Sequence, residues 1–348
     1  MTDSRIHHEV SHPFNDLPRP GKAVEIADGV LWIRIPLPMV LDHINIWAIR
    51  EDKGWAIVDT GLETRTIGQM WQELLADPLG GLPVTRVIMT HMHPDHIGMA
   101  GWLTRRFDCR MWITRLEYVT CRSLVGDTLR EAPTDGIRFY RAAGWEEDAI
   151  DSYRMQFGDF GKFVHPLPDS FRRIQHGEVM RIGAHDWTVL VGSGHSPEHA
   201  SFYCESLKLF ISGDQVLPRI SSNVSVFPTE PDADPLSDWL KSLAGISDAV
   251  PDDVLALPSH KLPFYGLHQR VGELIAEHHV GLEKLTQAIV APKRAVDVFE
   301  SLFHTRIVGS DLLNMATGES IAHLNYLLHH EVAVRRFDDK GVAWYQKK

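Results

Sequence analysis

The chain has 348 residues, of which 44% are hydrophobic and 23% are charged, so it can hold one large domain or two of ordinary size. Its formal net charge of −11, without a long run of Lys or Arg, argues against a nucleic-acid partner and gives no support to binding an anionic membrane. No stretch approaches the roughly 18 apolar residues of a membrane span, and the first residues show no apolar signal segment, so we expect neither feature.

Cysteine usage indicates a reducing compartment. The three cysteines, Cys109, Cys121 and Cys204, are far apart in the sequence and form no CxxC pair. A sparse, odd set of this kind is typical of free thiols rather than of a disulfide scaffold. We therefore expect a cytoplasmic protein.

The chain begins with a segment that does not resemble a helix or a strand. Residues 1–25 are polar and contain several prolines, which predicts an N-terminal arm over the surface. The arm carries His7, His8 and His12. Because chain termini are usually poorly tied down, we interpret these histidines as part of an exposed tail rather than as metal ligands.

Strand and helix patterns alternate over the following residues. A buried run at 54–58 ends in Asp59-Thr60-Gly61, a helical period covers 64–75, and a second buried run covers 84–89. This order predicts a layered α/β fold. Such folds place their chemistry at the carboxyl ends of the strands.

The run at 84–89 leads into a turn with four potential metal ligands, His91, His93, Asp95 and His96. Neutral imidazole and carboxylate groups are the ligands of zinc and of similar divalent metals. A His-rich solvent loop is the alternative, because the chain contains 20 histidines. The strand pattern before the turn and the helix pattern after it favour a metal site.

A helical pattern with many bulky side chains covers about 115–161, between two segments that carry potential ligands. We interpret it as a helical insertion that packs over the site. Most of its apolar residues are expected to form core helices. A few of its aromatic residues are expected to line a substrate pocket, because ligand pockets are largely apolar.

Three more strand patterns, in the second half of the chain, end in residues that can bind metal. These are His195 after the run at 187–191, Asp214 after the run at 207–211 and His260 after the run at 254–257. Burying so many ionisable groups together would cost on the order of several kcal/mol each without a compensating cation. The strand ends therefore indicate one shared site.

Residues 266–348 are predicted to form a small, mainly helical C-terminal module. Helical patterns cover 266–290, 292–303, 310–315 and 319–334, and residues 341–345 form a terminal strand pattern. We expect this module to form part of the pocket wall or of a dimer contact.

Five motifs, in this order, resemble those of the metallo-β-lactamase-fold metallohydrolase superfamily, and in particular its glyoxalase II-like and lactonase-like branches. The motifs are Asp59-Thr60-Gly61, the HxHxDH turn from His91 to His96, Gly194-His195-Ser196-Pro197-Glu198-His199, Gly213-Asp214 and Pro258-Ser259-His260. The resemblance covers about residues 25–265. It implies that residues 26–265 form a catalytic αββα sandwich, which here carries the helical insertion.

The resemblance also implies a binuclear metal site at one edge of the sandwich. The first metal would be bound by His91, His93 and His195, the second by Asp95, His96 and His260, and Asp214 would bridge the two. The expected metal is zinc, with iron or manganese as alternatives. A hydroxide that bridges the two ions would be the nucleophile, and Asp95 and Asp214 would be the catalytic carboxylates.

Supporting roles follow from the same resemblance. Asp59, and more weakly Thr90, would hold a ligand imidazole in one tautomer. Lys261 stands where the family frequently has Gly, and it either contacts a substrate carboxylate or phosphate or faces solvent. His43 and His199 are interpreted as structural.

The leading functional hypothesis is hydrolysis of a thioester, such as an acyl-CoA-like or glutathione-conjugate-like substrate with an apolar acyl part. A lactonase, or another hydrolase of cyclic esters or amides, is the alternative, although the Tyr that lactonases often carry after the bridging Asp is replaced here by Gln215, Val216 and Leu217. A nuclease of the same fold, an iron-containing redox relative and a non-enzymatic binding module are weaker alternatives. The expected partner is a small molecule, without nucleic acid or membrane, and a homodimer is left open.

Overall fold

In a computed structural model of the chain, residues 10–14, 17–39 and 41–348 are described. The predicted N-terminal arm lies partly outside this range, and His7 and His8 lie outside it entirely. The described part of the arm runs along the main domain. There the Nδ1 atom of His12 lies 3.0 Å from the carbonyl oxygen of Pro263, and the Tyr265 N–H donates to the carbonyl of Ser11.

Two β-sheets form the centre of the described structure. The first contains, in spatial order, β1 (Ala23–Ala27), β2 (Val30–Pro36), β3 (His43–Glu51), β4 (Gly54–Val58), β5 (Val84–Ile88), β6 (Arg110–Ile113) and β7 (Arg172–Arg173). The second contains β8 (Val179–Ile182), β9 (His185–Gly192), β10 (His199–Cys204), β11 (Leu209–Gly213) and β12 (Leu255–Pro258). Strands β1 to β4 are antiparallel, β4 to β7 are parallel, and in the second sheet only the β11–β12 pair is parallel.

Helices cover the outer faces of both sheets. They are α1 (Arg65–Ala76), α2 (Pro94–Ile97), α3 (Ala100–Phe107), α4 (Arg115–Gly126), α5 (Thr134–Ala143), α6 (Glu147–Gln156), α7 (Pro235–Ala249), α8 (Leu267–Ala288), α9 (Phe299–Leu302) and α10 (Ser310–His329). Single 3-10 turns lie at Asp159–Phe163 and Ala295–Val298. Strands β13 (Ala333–Phe337) and β14 (Ala343–Lys347) form a separate hairpin.

The side chains of β2 show how the layers are formed. Because successive strand residues point to opposite faces, Trp32 packs between the sheets with Trp187, whereas Ile33 packs outward in the cluster that contains Trp71 of α1. These side chains are fully buried. The predicted αββα sandwich is therefore confirmed, with one core between the sheets and one under each helical layer.

The predicted insertion contains α4, α5, α6 and a 3-10 turn. Tyr140 of α5 stacks on Trp145, with ring centroids 4.2 Å apart, and both pack in the same core cluster as Trp239 of α7. Leu274 of α8 belongs to this cluster as well. The insertion and the C-terminal module thus share one core on the outer face of the second sheet.

The C-terminal helical patterns were wrong in two details. The segments predicted at 310–315 and 319–334 are one helix, α10, because Gly318 is not a break. Its missing side chain lets the helix approach Ser225, whose Cβ would lie 2.8 Å from a Cβ at position 318. The helix ends at His329, Glu331 has a φ of +57°, and β13 follows because it pairs with the terminal strand β14.

No helix among residues 10–14, 17–39 and 41–348 is both long and apolar enough to cross a membrane.

Candidate metal centre

The carboxyl ends of the strands bring all seven predicted ligands together at one edge of the sandwich. Ligand atoms within 4.8 Å of one another form three sets, namely His91, His93 and His195; His91, His96 and Asp214; and Asp95, His96 and His260. We call the first set the three-histidine group and the third set the mixed group. Asp214 lies between them, because its carboxylate oxygens are 3.5 Å from both His195 Nε2 and His260 Nε2.

Asp59 contacts His96 of the mixed group and the Thr90 that precedes the histidine turn. It is buried directly after β4 with a φ of +63°. Its Oδ1 accepts the Thr90 N–H at 2.9 Å, and its Oδ2 lies 2.8 Å from His96 Nδ1 and accepts the Thr90 hydroxyl at 2.8 Å. A proton on His96 Nδ1 that points to Asp59 leaves Nε2 free to bind a cation.

Backbone carbonyls orient two other ligands in the same way. His260 Nδ1 lies 2.7 Å from the carbonyl oxygen of His43, and His195 Nδ1 lies 2.8 Å from that of Asn223. In each ring the Nε2 atom is consequently the one that faces the other ligands. The two imidazoles are therefore oriented in advance, before any ligand binds.

Four buried polar atoms in this cluster have no hydrogen-bond partner among the described residues. They are the Nε2 atoms of His96, His195 and His260 and the Oδ1 atom of Asp214. Leaving buried polar atoms unpaired is costly, and such groups usually have a partner. Neutral imidazole and carboxylate are the ligand types of divalent metals, so the residues fit a metal centre.

The two groups differ in charge. Burial, followed by neighbouring imidazoles, lowers the pKa of His91 well below its ordinary value and that of His93 to about 3. In the mixed group burial also opposes charge, but Asp214 and Asp95 outweigh it and raise the pKa of His260 to about 10. Burial opposes ionisation of Asp95 too, yet His96 and His260 bring its pKa to about 2. His91 and His93 are therefore neutral, whereas the mixed group contains ion pairs.

His199 supports the bridging position rather than either group. Its Nε2 accepts the Asp214 N–H at 3.1 Å. Gly213, with a φ of +57°, lets the ring come this close, since a Cβ at that position would lie 2.5 Å from His199 Nε2. The structural interpretation of His199 agrees with these contacts.

Glu117 was missed in the sequence, although it connects the two segments that carry the three-histidine group. It lies on α4 and is fully buried. Its Oε2 accepts the Met92 N–H at 2.9 Å, and its Oε1 accepts the Ser196 hydroxyl and the Glu198 N–H, each at 2.7 Å. Burial raises the pKa of Glu117 to about 7.

The C-terminal module also supports the three-histidine group, through His195. Asn223, whose carbonyl orients His195, donates its side-chain amide to Glu319 of α10 at 2.8 Å. The sequence contained no local signal for this contact, which joins residues 96 positions apart.

Lys261 lies beside the mixed group and acts there through its backbone. Its N–H donates to His43 Nε2 at 2.9 Å, and its carbonyl accepts the Asn45 side-chain amide at 2.8 Å. These bonds fix the loop that carries His260. Contact between the Lys261 side chain and a substrate stays a prediction.

Comparison with known proteins agrees with this geometry. The family model of the metallo-beta-lactamase superfamily matches residues 39–260, and a model described as a metallo-beta-lactamase-like C-terminal domain matches residues 282–348. The crystal structure of a beta-lactamase domain protein from Burkholderia ambifaria is 38% identical, covers 97% of this chain and 98% of its own, and has a TM-score of 0.89.

Two curated relatives are more distant. A probable metallo-hydrolase, YqjP of Bacillus subtilis, is 21% identical over 92% of this chain and 98% of its own length. The acyl-coenzyme A thioesterase MBLAC2 of Gallus gallus is 25% identical over 55% of this chain and 64% of its own length.

Proposed function

Because the chain belongs to the metallo-beta-lactamase superfamily, we propose that it is a hydrolase with two divalent metal ions, zinc being the expected metal, that cleaves a small-molecule thioester. Relatives of this kind indicate a metal-dependent hydrolase. The observation that carries the proposal is the convergence of seven ligand-type side chains whose buried Nε2 and carboxylate atoms lack partners among the described residues.

The seven side chains would have different roles in the proposed site. The three-histidine group would hold one ion, the mixed group the other, and Asp214 would contact both. Divalent ions in such a site lower the pKa of water toward neutrality and polarise a carbonyl oxygen. Asp95, the partly exposed carboxylate of the mixed group, would orient the attacking water. Asp59 and Thr90 would keep His96 in the tautomer that binds.

Two observations support a thioester as the substrate. The relative MBLAC2 carries the name of an acyl-coenzyme A thioesterase. The insertion contributes several aromatic residues, among them Trp145, Tyr153 and Phe157, to the lining of a cavity that an apolar acyl part could occupy. A lactone or another cyclic ester or amide is the competing substrate.

The test compares the zinc-loaded protein with its Asp214→Ala variant on acyl thioesters, matched oxygen esters, lactones and lactams. We expect the wild type to hydrolyse thioesters fastest and the variant to lose on the order of 10³-fold or more in kcat/KM. A preference for lactones or lactams would refute the thioester assignment. If the wild type were no faster than the variant on every substrate, the hydrolase proposal itself would fail.

A further inference from the structure

A cavity of about 370 Å³ lies between the insertion and the first turns of α10. Its apolar wall consists mainly of aromatic and leucine side chains, namely Leu124, Trp145, Tyr153, Phe157, Phe160 and Leu313. Small-molecule sites are concave, mostly apolar and of this size range.

Two helices lead from the metal centre to this cavity. On α4, Glu117 contacts the residue next to His195, and Leu124, seven positions later, lines the cavity, which is about 10 Å along the helix axis. On α10, Glu319 holds the loop that orients His195, and Leu313 lines the cavity about 9 Å away. Each helix therefore has a residue that supports the His195 segment and, about 10 Å or less along its axis, a residue that lines the cavity.

Both helices also carry exposed apolar side chains. Leu116 and Val119 are one turn apart on α4, and Leu312 and Met315 are one turn apart on α10, and all four are exposed. Groups of exposed apolar side chains mark interaction sites more often than isolated ones do.

The charges of the cavity lining disfavour an anionic occupant. Its charged lining residues among those described are Asp127, Asp148 and Asp159. Asp127 pairs with Arg130 and Asp159 with Lys162, neither of which lines the cavity. A phosphate or carboxylate group would be repelled here, whereas an uncharged hydrocarbon chain would not.

We propose that this cavity binds the acyl chain of the substrate and that the enzyme therefore favours uncharged acyl chains of medium length. The inference rests on the hydrolase activity proposed above. The leaving group, with any anionic part, stays outside the cavity.

Ala149→Trp tests the assignment, because Ala149 lines the cavity and the new indole would fill it. The matched control is Met155→Trp, which adds the same side chain to an exposed position of the same helix outside the cavity. We expect the wild type to prefer an octanoyl over an acetyl thioester, since each buried methylene group contributes about fourfold. Ala149→Trp should reduce this preference for the octanoyl thioester at least ~10-fold, whereas Met155→Trp should keep it.

A binding experiment separates this proposal from the activity on which it rests. A non-hydrolysable octanoyl amide should bind the wild type and Met155→Trp equally, and Ala149→Trp at least ~10-fold more weakly. Equal binding by all three, or no dependence of hydrolysis on chain length, would overturn the cavity assignment. Binding without hydrolysis of any thioester would instead refute the proposed reaction. If Ala149→Trp does not fold, Ser152→Phe, which also lines the cavity, replaces it.

Discussion

The three-histidine group and the mixed group lie side by side but are held in place by different parts of the molecule. The mixed group is supported by the first sheet, through the Asp59 carboxylate and the His43 carbonyl. The three-histidine group is supported by Glu117 of the insertion and, through Asn223, by Glu319 of the C-terminal module. The additions to the sandwich therefore support the three-histidine group, which the sandwich contacts as well through the Thr90 hydroxyl, 3.0 Å from His91 Nδ1. The mixed group is supported by the sandwich itself.

Asp59→Asn should break the mixed group and give the largest effect. The asparagine side chain has the same size, but its NH₂ group cannot accept a hydrogen bond from Thr90 or His96 as the carboxylate oxygen does. We expect affinity for one metal ion to fall about 10- to 100-fold while the other ion is retained. Metal titration followed by elemental mass spectrometry measures this, with Asp52→Asn, in the exposed turn between β3 and β4, as the control. Loss of both ions in Asp59→Asn would contradict the division.

Glu117→Gln should weaken the other half by a smaller factor. Glutamine cannot accept at its NH₂ group, so either the Met92 contact or the contacts to Ser196 and Glu198 are lost. Because Glu117 acts through the loops rather than on a ligand ring, we expect about a 10-fold loss of affinity for one ion. The exposed Glu147→Gln variant should bind as the wild type does.

The residual ion identifies the group that was affected. The ion kept by Glu117→Gln should be the one lost by Asp59→Asn, which cobalt substitution and absorption spectra can distinguish. The same ion lost in both variants would mean that the two groups are not separately supported.

Glu319→Gln should give a smaller effect on the same group. It can keep one bond to the Asn223 amide through its own carbonyl, and Asn223 reaches His195 only through the backbone. We expect a change of about threefold in affinity for one ion and little change in kcat. Asp311→Asn, on an exposed part of the same helix, is the control. A loss of metal affinity as large as that of Glu117→Gln would show that the C-terminal module supports the three-histidine group more strongly than this single side-chain contact predicts.

Lys261→Ala should have the smallest effect on the metals, because the contacts of Lys261 that hold the His260 loop come from its backbone. We expect both ions to remain bound. If the side chain contacts an anionic part of the substrate, KM should rise several-fold, about 1 kcal/mol, with kcat unchanged. Steady-state kinetics on an anionic and an uncharged thioester, with Lys241→Ala as the control, would detect the difference.

The same comparison explains what the sequence could predict. The predicted ligands and Asp59 follow buried strands, so a local pattern of an apolar run and then His or Asp was enough to single them out. Glu117 looks like any charged helix residue unless its register is considered. It lies on the buried face of α4 with Tyr118 and Cys121, and a carboxylate on an apolar face was the signal that could have identified it.

Long-range contacts account for the rest. Nothing near Asn223 in the sequence indicates Glu319, because the contact depends on how α10 packs against the loop after β11. The sequence did not predict the hairpin of β13 and β14 for the same reason. Val332 and Val334 extend an apolar helical pattern, and only the pairing of β13 with the terminal strand β14 gives this segment an extended conformation.

The most direct test of the central claim is the metal content of His91→Ala and His96→Ala beside the wild type, measured by elemental mass spectrometry after loading with zinc. Two separately supported groups predict two ions per chain in the wild type and one ion in each variant, with different residual ions. One ion per chain in the wild type, or loss of both ions in each variant, would contradict the two-group metal centre.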